Sequence, residues 1–184
     1  MDNISQKIAA LSPAKRALLE LKLKNKTTDV KTQQTIPKRT NESTALLSFA
    51  QQRLWFLEQL EPNSPLYHIA EVLRLQGDLN VNVLQQSLDA IVAHHEVLRT
   101  NFIAQDGDPV QVISEPRSVE LKVIDLTGYL PTERSTQVQQ LLQNESQRPF
   151  DLRSDLMFRA CLVELEPQEH ILLLVMHHIA SDGW

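Results

Sequence analysis

Apolar and polar positions along this chain follow two rhythms. Residues 69–75 read as alternating apolar and polar, the strand period. Leu84, Leu88, Ile91, Val92 and His95 recur at helical intervals behind Asn80 and Asn82, either of which can cap a helix. Ser48 can cap an earlier helix. There Phe49, Arg53, Phe56 and Leu60 form one strip that Leu54, Trp55 and Leu57 broaden. This pattern predicts a core helix near the start of the domain. Pro131 suits a first helical position, with Val138, Leu141 and Leu142 on the buried side, and the helix must stop before Pro149. Residues 110–113 and 121–124 read as short strands. Residues 158–165 and the apolar run 171–176, joined through Glu166-Pro167-Gln168-Glu169, predict a strand pair, the second strand buried.

The first forty residues differ in character. Ser12-Pro13 is a helix start, and Ala14, Ala17, Leu18 and Leu21 form a helical stripe behind it. Ile4, Ile8 and Leu11 suit a shorter helix ahead. Residues 1–24 therefore read as a helical leader, or as a docking segment for an upstream protein, since an amphipathic helix needs something over its apolar face. Residues 25–45 read as a flexible linker, with Val30 and Ile36 the only large apolar residues between 25 and 44. The domain proper is expected at 46–184. Helices interleaved with strands give a fold class of α/β.

Composition narrows the function classes. A hydrophobic content of 42% is enough for a core, and a net charge of −5 offers no electrostatic footprint for nucleic acid. Cys161 is the only cysteine, so no internal disulfide is possible and a reducing cytoplasm fits. No apolar run approaches the roughly 18 residues of a membrane span, and no signal-peptide pattern opens the chain.

The candidate chemistry lies at the chain's end. The apolar run of 171–176 meets two adjacent histidines, His177 and His178, and Asp182-Gly183 supplies turn chemistry. Neighbouring side chains on a strand point to opposite faces, so one histidine faces the core and the other faces outward. An imidazole with a carboxylate four residues later is a plausible general-base arrangement. A second histidine pair, His94-His95 with Glu96, does not read as a metal site, because no third ligand stands at a recognisable spacing.

Three stretches together resemble one family. His177-His178-x-x-x-Asp182-Gly183 resembles the signature of the condensation domains of nonribosomal peptide synthetases, close to that of chloramphenicol acetyltransferase-like acyltransferases. Ser48-x-Ala50-Gln51-x-Arg53-Leu54-Trp55 is similar to the first core motif of those domains. His95-Glu96-x-Leu98-Arg99-Thr100-x-Phe102 is similar to the second, with His94 standing where arginine is usual. Arg148-Pro149-Phe150-Asp151-Leu152 also resembles the family.

The resemblance implies a two-lobed fold, each lobe an α/β sandwich, with the active site in a tunnel between the lobes. This chain would supply a leader and a truncated N-terminal lobe, inactive alone. The implied reaction joins two carrier-protein-bound groups: an acceptor amine attacks an aminoacyl or peptidyl thioester to form an amide. Phosphopantetheine arms on donor and acceptor carrier proteins would present the substrates, with no cofactor or metal bound by the chain itself. His178 would take the amine's proton or position it, while His177 looks structural. A neutral imidazole, of reference pKa about 6.5, can accept such a proton. Asp182 is expected to pair with Arg53, Arg99 or an arginine of the missing lobe. Gly183 would permit close backbone approach, and Trp184 would support the turn. Other readings within reach are an epimerisation domain, an acyltransferase using coenzyme A thioesters, and a non-catalytic module that recruits carrier proteins. The presence of His178 speaks against the last, since such modules usually lose the second histidine.

Overall fold

In the computed structural model the described residues are 44–181. The expected leader helix and most of the linker lie outside them, as do Asp182, Gly183 and Trp184.

Two largely buried strands build the centre. β6 (Phe158–Glu166) and β7 (Glu169–His177) pair antiparallel, flanked by β2 (His68–Gln76) and β5 (Leu121–Asp125), in the order β2-β7-β6-β5. Pairing is antiparallel except between β5 and β6, which run parallel. A parallel neighbour needs a crossover, and α3 (Pro131–Gln147) provides it, with Pro131 in its first turn as the sequence predicts. The other helices are α1 (Phe49–Leu60) and α2 (Val81–His94). A second sheet holds β1 (Thr44–Leu46), β4 (Asp108–Ile113) and β3 (Thr100–Gln105), in that order. Short 3-10 turns, Pro65–Tyr67 and Glu96–Arg99, lead into β2 and β3. β1 begins two residues before the expected domain start because Thr44 and Ala45 pair with Val112 and Gln111.

The pleat of β6 sorts its side chains into two cores. Phe158, Ala160 and Leu162 gather with Leu88 and Val92 of α2 and with Leu98. Cys161, Val163 and Leu165 gather with Val138 of α3 and with Leu173 and Val175 of β7. The helix–sheet sandwich is therefore filled on both faces, which is why apolar residues stand on both faces of β6, with Arg159 the buried exception. Burial also pushes the Cys161 thiol up to about 11.

Local signals account for the boundaries. Asn80, of the two candidates, caps α2, its side chain accepting from Val83 N at 3.1 Å. Ser48 and Gln51 form a reciprocal capping box on α1. The hairpin of β3 and β4 turns through Asp106 (φ 54°) and Gly107 (φ 95°), left-handed positions that favour aspartate and glycine. Asp89 ties α2 to the approach of β5 by accepting from Val119 N at 2.7 Å and from Gln85 Nε2 at 2.9 Å.

Two expected core faces are corrected. The α1 strip of Phe49, Arg53, Phe56 and Leu60 faces away from the core, with Phe49 91% exposed and Leu60 61% exposed. Leu54 and Trp55 pack inward instead. Periodicity marks an apolar face but does not say which neighbour it meets. On α2, Leu88 and Val92 are buried, but Ile91 is exposed within the helix, and His95 is exposed because the helix ends at His94.

Leu162 is fully buried between the strands and α2. Leu162→Ala is expected to lower unfolding stability by about 2–5 kcal/mol. Leu130→Ala, at an exposed position, should cost no more than about 0.5 kcal/mol. Urea melts check both, and equal midpoints for the two variants would contradict this core.

Candidate functional site

The site is assembled where β7 leaves the sheet. β7 is paired on both sides to its end, Met176 with Phe158 on β6 and His177 with His68 on β2. His177 N donates to Met157 O at 3.1 Å, and His178 N donates to Tyr67 O at 2.8 Å. The chain then turns, with Ala180 N donating back to His177 O at 3.0 Å and Ser181 N to His178 O at 3.3 Å. The backbone around the two histidines is thus held from both flanking strands and from within the turn.

Strand alternation separates the pair. His177 points into the core and is 1% exposed, while His178 is exposed. The His177 ring meets His68 and Phe150 edge-on, at centroid distances of 5.9 and 5.8 Å. Its Nδ1 accepts the Ile179 N–H at 3.1 Å. An accepting Nδ1 carries no proton, so the ring is neutral with its hydrogen on Nε2. Burial, with His68, His178 and Arg159 nearby, lowers its pKa to about 4.

A cation completes the buried side. Arg159 lies over the Phe150 ring at 4.0 Å and donates to Glu145 O at 3.1 Å, Pro149 O at 3.2 Å and Arg148 O. These are carbonyls at and just past the C-terminal end of α3, where a cation also meets the favourable end of the helix dipole. Burial and Arg148 pull its pKa down to about 10, which leaves it charged near neutrality. His68 donates from Nδ1 to Ser146 O at 2.8 Å, and burial is the largest cause of its lowered pKa.

On the open side His178 lines a cavity of about 480 Å³ with Gln51, Arg53, Leu54, Tyr67 and Ser181. Of the expected supporting arginines, Arg53 stands exposed at this cavity. Arg99 is engaged elsewhere, donating from Nη1 to Ser114 O and lying 3.7 Å from Glu96. The structure therefore brings His178 and Arg53 to one cavity, with His177 behind it in the core, and leaves Arg99 apart. Asp182, Gly183 and Trp184 lie outside the described residues. The His94 and His95 rings meet edge to face with centroids 4.9 Å apart. Among the described residues no cluster of three His, Cys, Asp or Glu side chains could hold a metal.

Sequence reasoning missed three contributors. His68 meets His177 only through strand register, which no local pattern announces. Tyr67 contributes a backbone carbonyl, which no side-chain motif encodes. Gln51 stood inside a recognised motif, yet its partners come from two distant segments.

A family model described as the condensation domain matches residues 41–184. The chain belongs to the condensation domain family. It is 47% identical over 138 residues to one of the linear gramicidin synthase proteins of Brevibacillus parabrevis, covering 75% of this chain and 2% of that protein. It is 37% identical over 185 residues to the phosphinothricin tripeptide synthetase PhsC of Streptomyces viridochromogenes, covering 100% of this chain and 17% of that protein. Among solved structures, the starter condensation domain of rhizomide synthetase RzmA superposes with a TM-score of 0.68 at 29% identity, covering 77% of this chain and 35% of that one. The first condensation domain of the calcium-dependent antibiotic synthetase, with a substrate analogue, superposes at 0.67 and 26% identity, covering 77% and 34%. The condensation-domain segment described here thus spans about a third of those solved chains and a small part of the synthetases. It has the chloramphenicol acetyltransferase-like fold of those neighbours.

The buried histidine makes this segment acid-sensitive. His177 has a lower pKa folded than unfolded, so the unfolded chain takes up a proton first as pH falls. Its contribution is complete above about pH 6.5 and is lost as pH falls toward 4, by about 3 kcal/mol in all. His68 acts in the same direction. His177→Phe should flatten the decline of stability between pH 7 and pH 4.5. Identical slopes for the two proteins, followed by chemical denaturation at each pH, would mean that His177 does not carry this dependence.

Proposed function

We propose that this segment forms the histidine-bearing wall of an amide-forming site in nonribosomal peptide synthesis. One observation carries the proposal. Of the two motif histidines, His177 is buried, neutral and committed to the Ile179 amide, while His178 alone presents its ring to the cavity.

The chemistry follows from that division. A carrier-bound donor thioester and a carrier-bound acceptor amine meet beside His178, each on a phosphopantetheine arm. The amine nitrogen bonds to the thioester carbonyl carbon, giving a tetrahedral intermediate with negative oxygen and positive nitrogen. His178 accepts the proton from that nitrogen. The carbonyl re-forms, the carbon–sulfur bond breaks, and the departing thiolate is protonated as the donor arm's free thiol. No acyl-enzyme is needed, and the one cysteine, Cys161, is buried with its thiol held protonated. In this reading Asp182 pairs with an arginine and shapes the turn, the partner being Arg53 or an arginine of the missing lobe, since Arg99 is already engaged. Gly183 leaves room for the reacting carbonyl, and Trp184 supports the turn. The fixed backbone supplies orientation, which accounts for much of the rate in such reactions.

The partners in this reading are donor and acceptor carrier proteins, with an upstream synthetase protein meeting residues 1–24. In this reading the reaction takes place in the cytoplasm. Among the described residues no helix is long and apolar enough to cross a membrane.

In a complete condensation domain containing this segment, His178→Ala is expected to slow amide formation by about 100-fold or more. Intact mass spectrometry of the acceptor carrier measures the dipeptidyl product directly. Product forming within about threefold of the wild-type rate would remove the support for His178 as the proton acceptor.

A further inference from the structure

A side chain from outside the motif loop ties that loop to the rest of the domain. The Ile179 N–H is held by His177 from within the motif. The Ile179 carbonyl, on the other side of the same residue, accepts from Gln51 Nε2 at 3.4 Å. Ile179 directly follows His178, and the cavity that His178 lines is also lined by Gln51.

The Gln51 amide is occupied at every position this geometry needs. Its Oε1 accepts the Ser48 N–H at 2.9 Å, completing the α1 cap. Its Nε2 donates to Gln111 Oε1 at 3.3 Å as well as to Ile179 O. The orientation of the Gln111 amide is fixed independently, because its Nε2 donates to Leu46 O at 2.8 Å and its oxygen must then face Gln51. Gln111 sits on β4, the middle strand of the three-stranded sheet. One amide therefore links the start of α1, the smaller sheet and the loop at the end of the larger sheet.

Resting on the proposed role of His178, we infer that Gln51 is a positioning residue for that imidazole. It acts through the Ile179 carbonyl and does not touch the reacting atoms. The two contacts at 3.3 and 3.4 Å are at the long end of hydrogen-bond geometry, and their effect comes from holding the residue that directly follows His178. A reacting group must be held to within about half an ångström, so release of this carbonyl is felt in the rate before it is felt in binding.

Gln51→Glu isolates the effect. Glutamate at this position still accepts the Ser48 N–H, so the cap of α1 is kept. A carboxylate has no N–H for Ile179 O or Gln111 Oε1 and sets acceptor against acceptor. In a complete condensation domain containing this segment, kcat for amide formation is expected to fall about tenfold, with KM for each loaded carrier protein within about twofold. Nitrogen relaxation of the labelled His178 ring should show greater mobility at an unchanged melting temperature. His178→Ala is measured in parallel. If His178→Ala keeps its rate, the proposed function falls and this inference falls with it. If His178→Ala is disabled while Gln51→Glu keeps kcat within about twofold, or loses kcat only in step with its melting temperature, the positioning role alone is overturned.

Discussion

Where β7 stops decides the character of the whole site. The strand is paired on both sides up to His177, and its last backbone donors are taken by Met157 O and Tyr67 O. Side chains alternate along a strand, so a slip of one residue would exchange the two histidines between core and cavity. His178 would then sit against Phe150 and His68, and His177 would lose the Ile179 amide. The register is held because the residues sharing the face of His177, Leu173 and Val175, are already committed to the core beneath α3. The chemistry at the surface is thus specified by packing several residues away.

The buried side of the turn couples a helix to the site. Arg159 closes off carbonyls at the end of α3 and lies over the Phe150 ring, and Phe150 contacts both His68 and His177. A charged guanidinium so near a neutral imidazole makes protonation of His177 less favourable still. The same arrangement keeps the Nδ1 lone pair of His177 available for the Ile179 amide. Electrostatics and backbone geometry here favour a single protonation state.

Much of the fold could be read along the chain, because its signals are local. The apolar run of β7, the caps at Ser48 and Asn80 and the proline at the start of α3 all act within a few residues of where they are written, whereas β2 forms as a strand without alternating burial. The outward placement of Phe49, Phe56 and Leu60 was not readable, because rotation about a helix axis is set by what the helix packs on. The candidate site divided in the same way. His177 and His178 announced themselves by adjacency at a strand end. His68 did not, because it meets His177 through long-range register. Gln51 was visible as a motif letter, but its acceptor on Ile179 lies 128 positions along the chain. Arg99 looked equivalent to Arg53 until Ser114 O and Glu96 were seen to occupy it.

Cys161 is the only cysteine in the chain, and it sits on β6 in the core beneath α3, 3% exposed. With its thiol pushed up to about 11, almost none of it is thiolate near neutral pH, and what exists is out of a reagent's reach. The folded protein is therefore blind to maleimides, iodoacetamide and peroxide at this residue. Alkylation requires α3 to part from the central sheet, so labelling kinetics would time the opening of that core in otherwise unmodified protein.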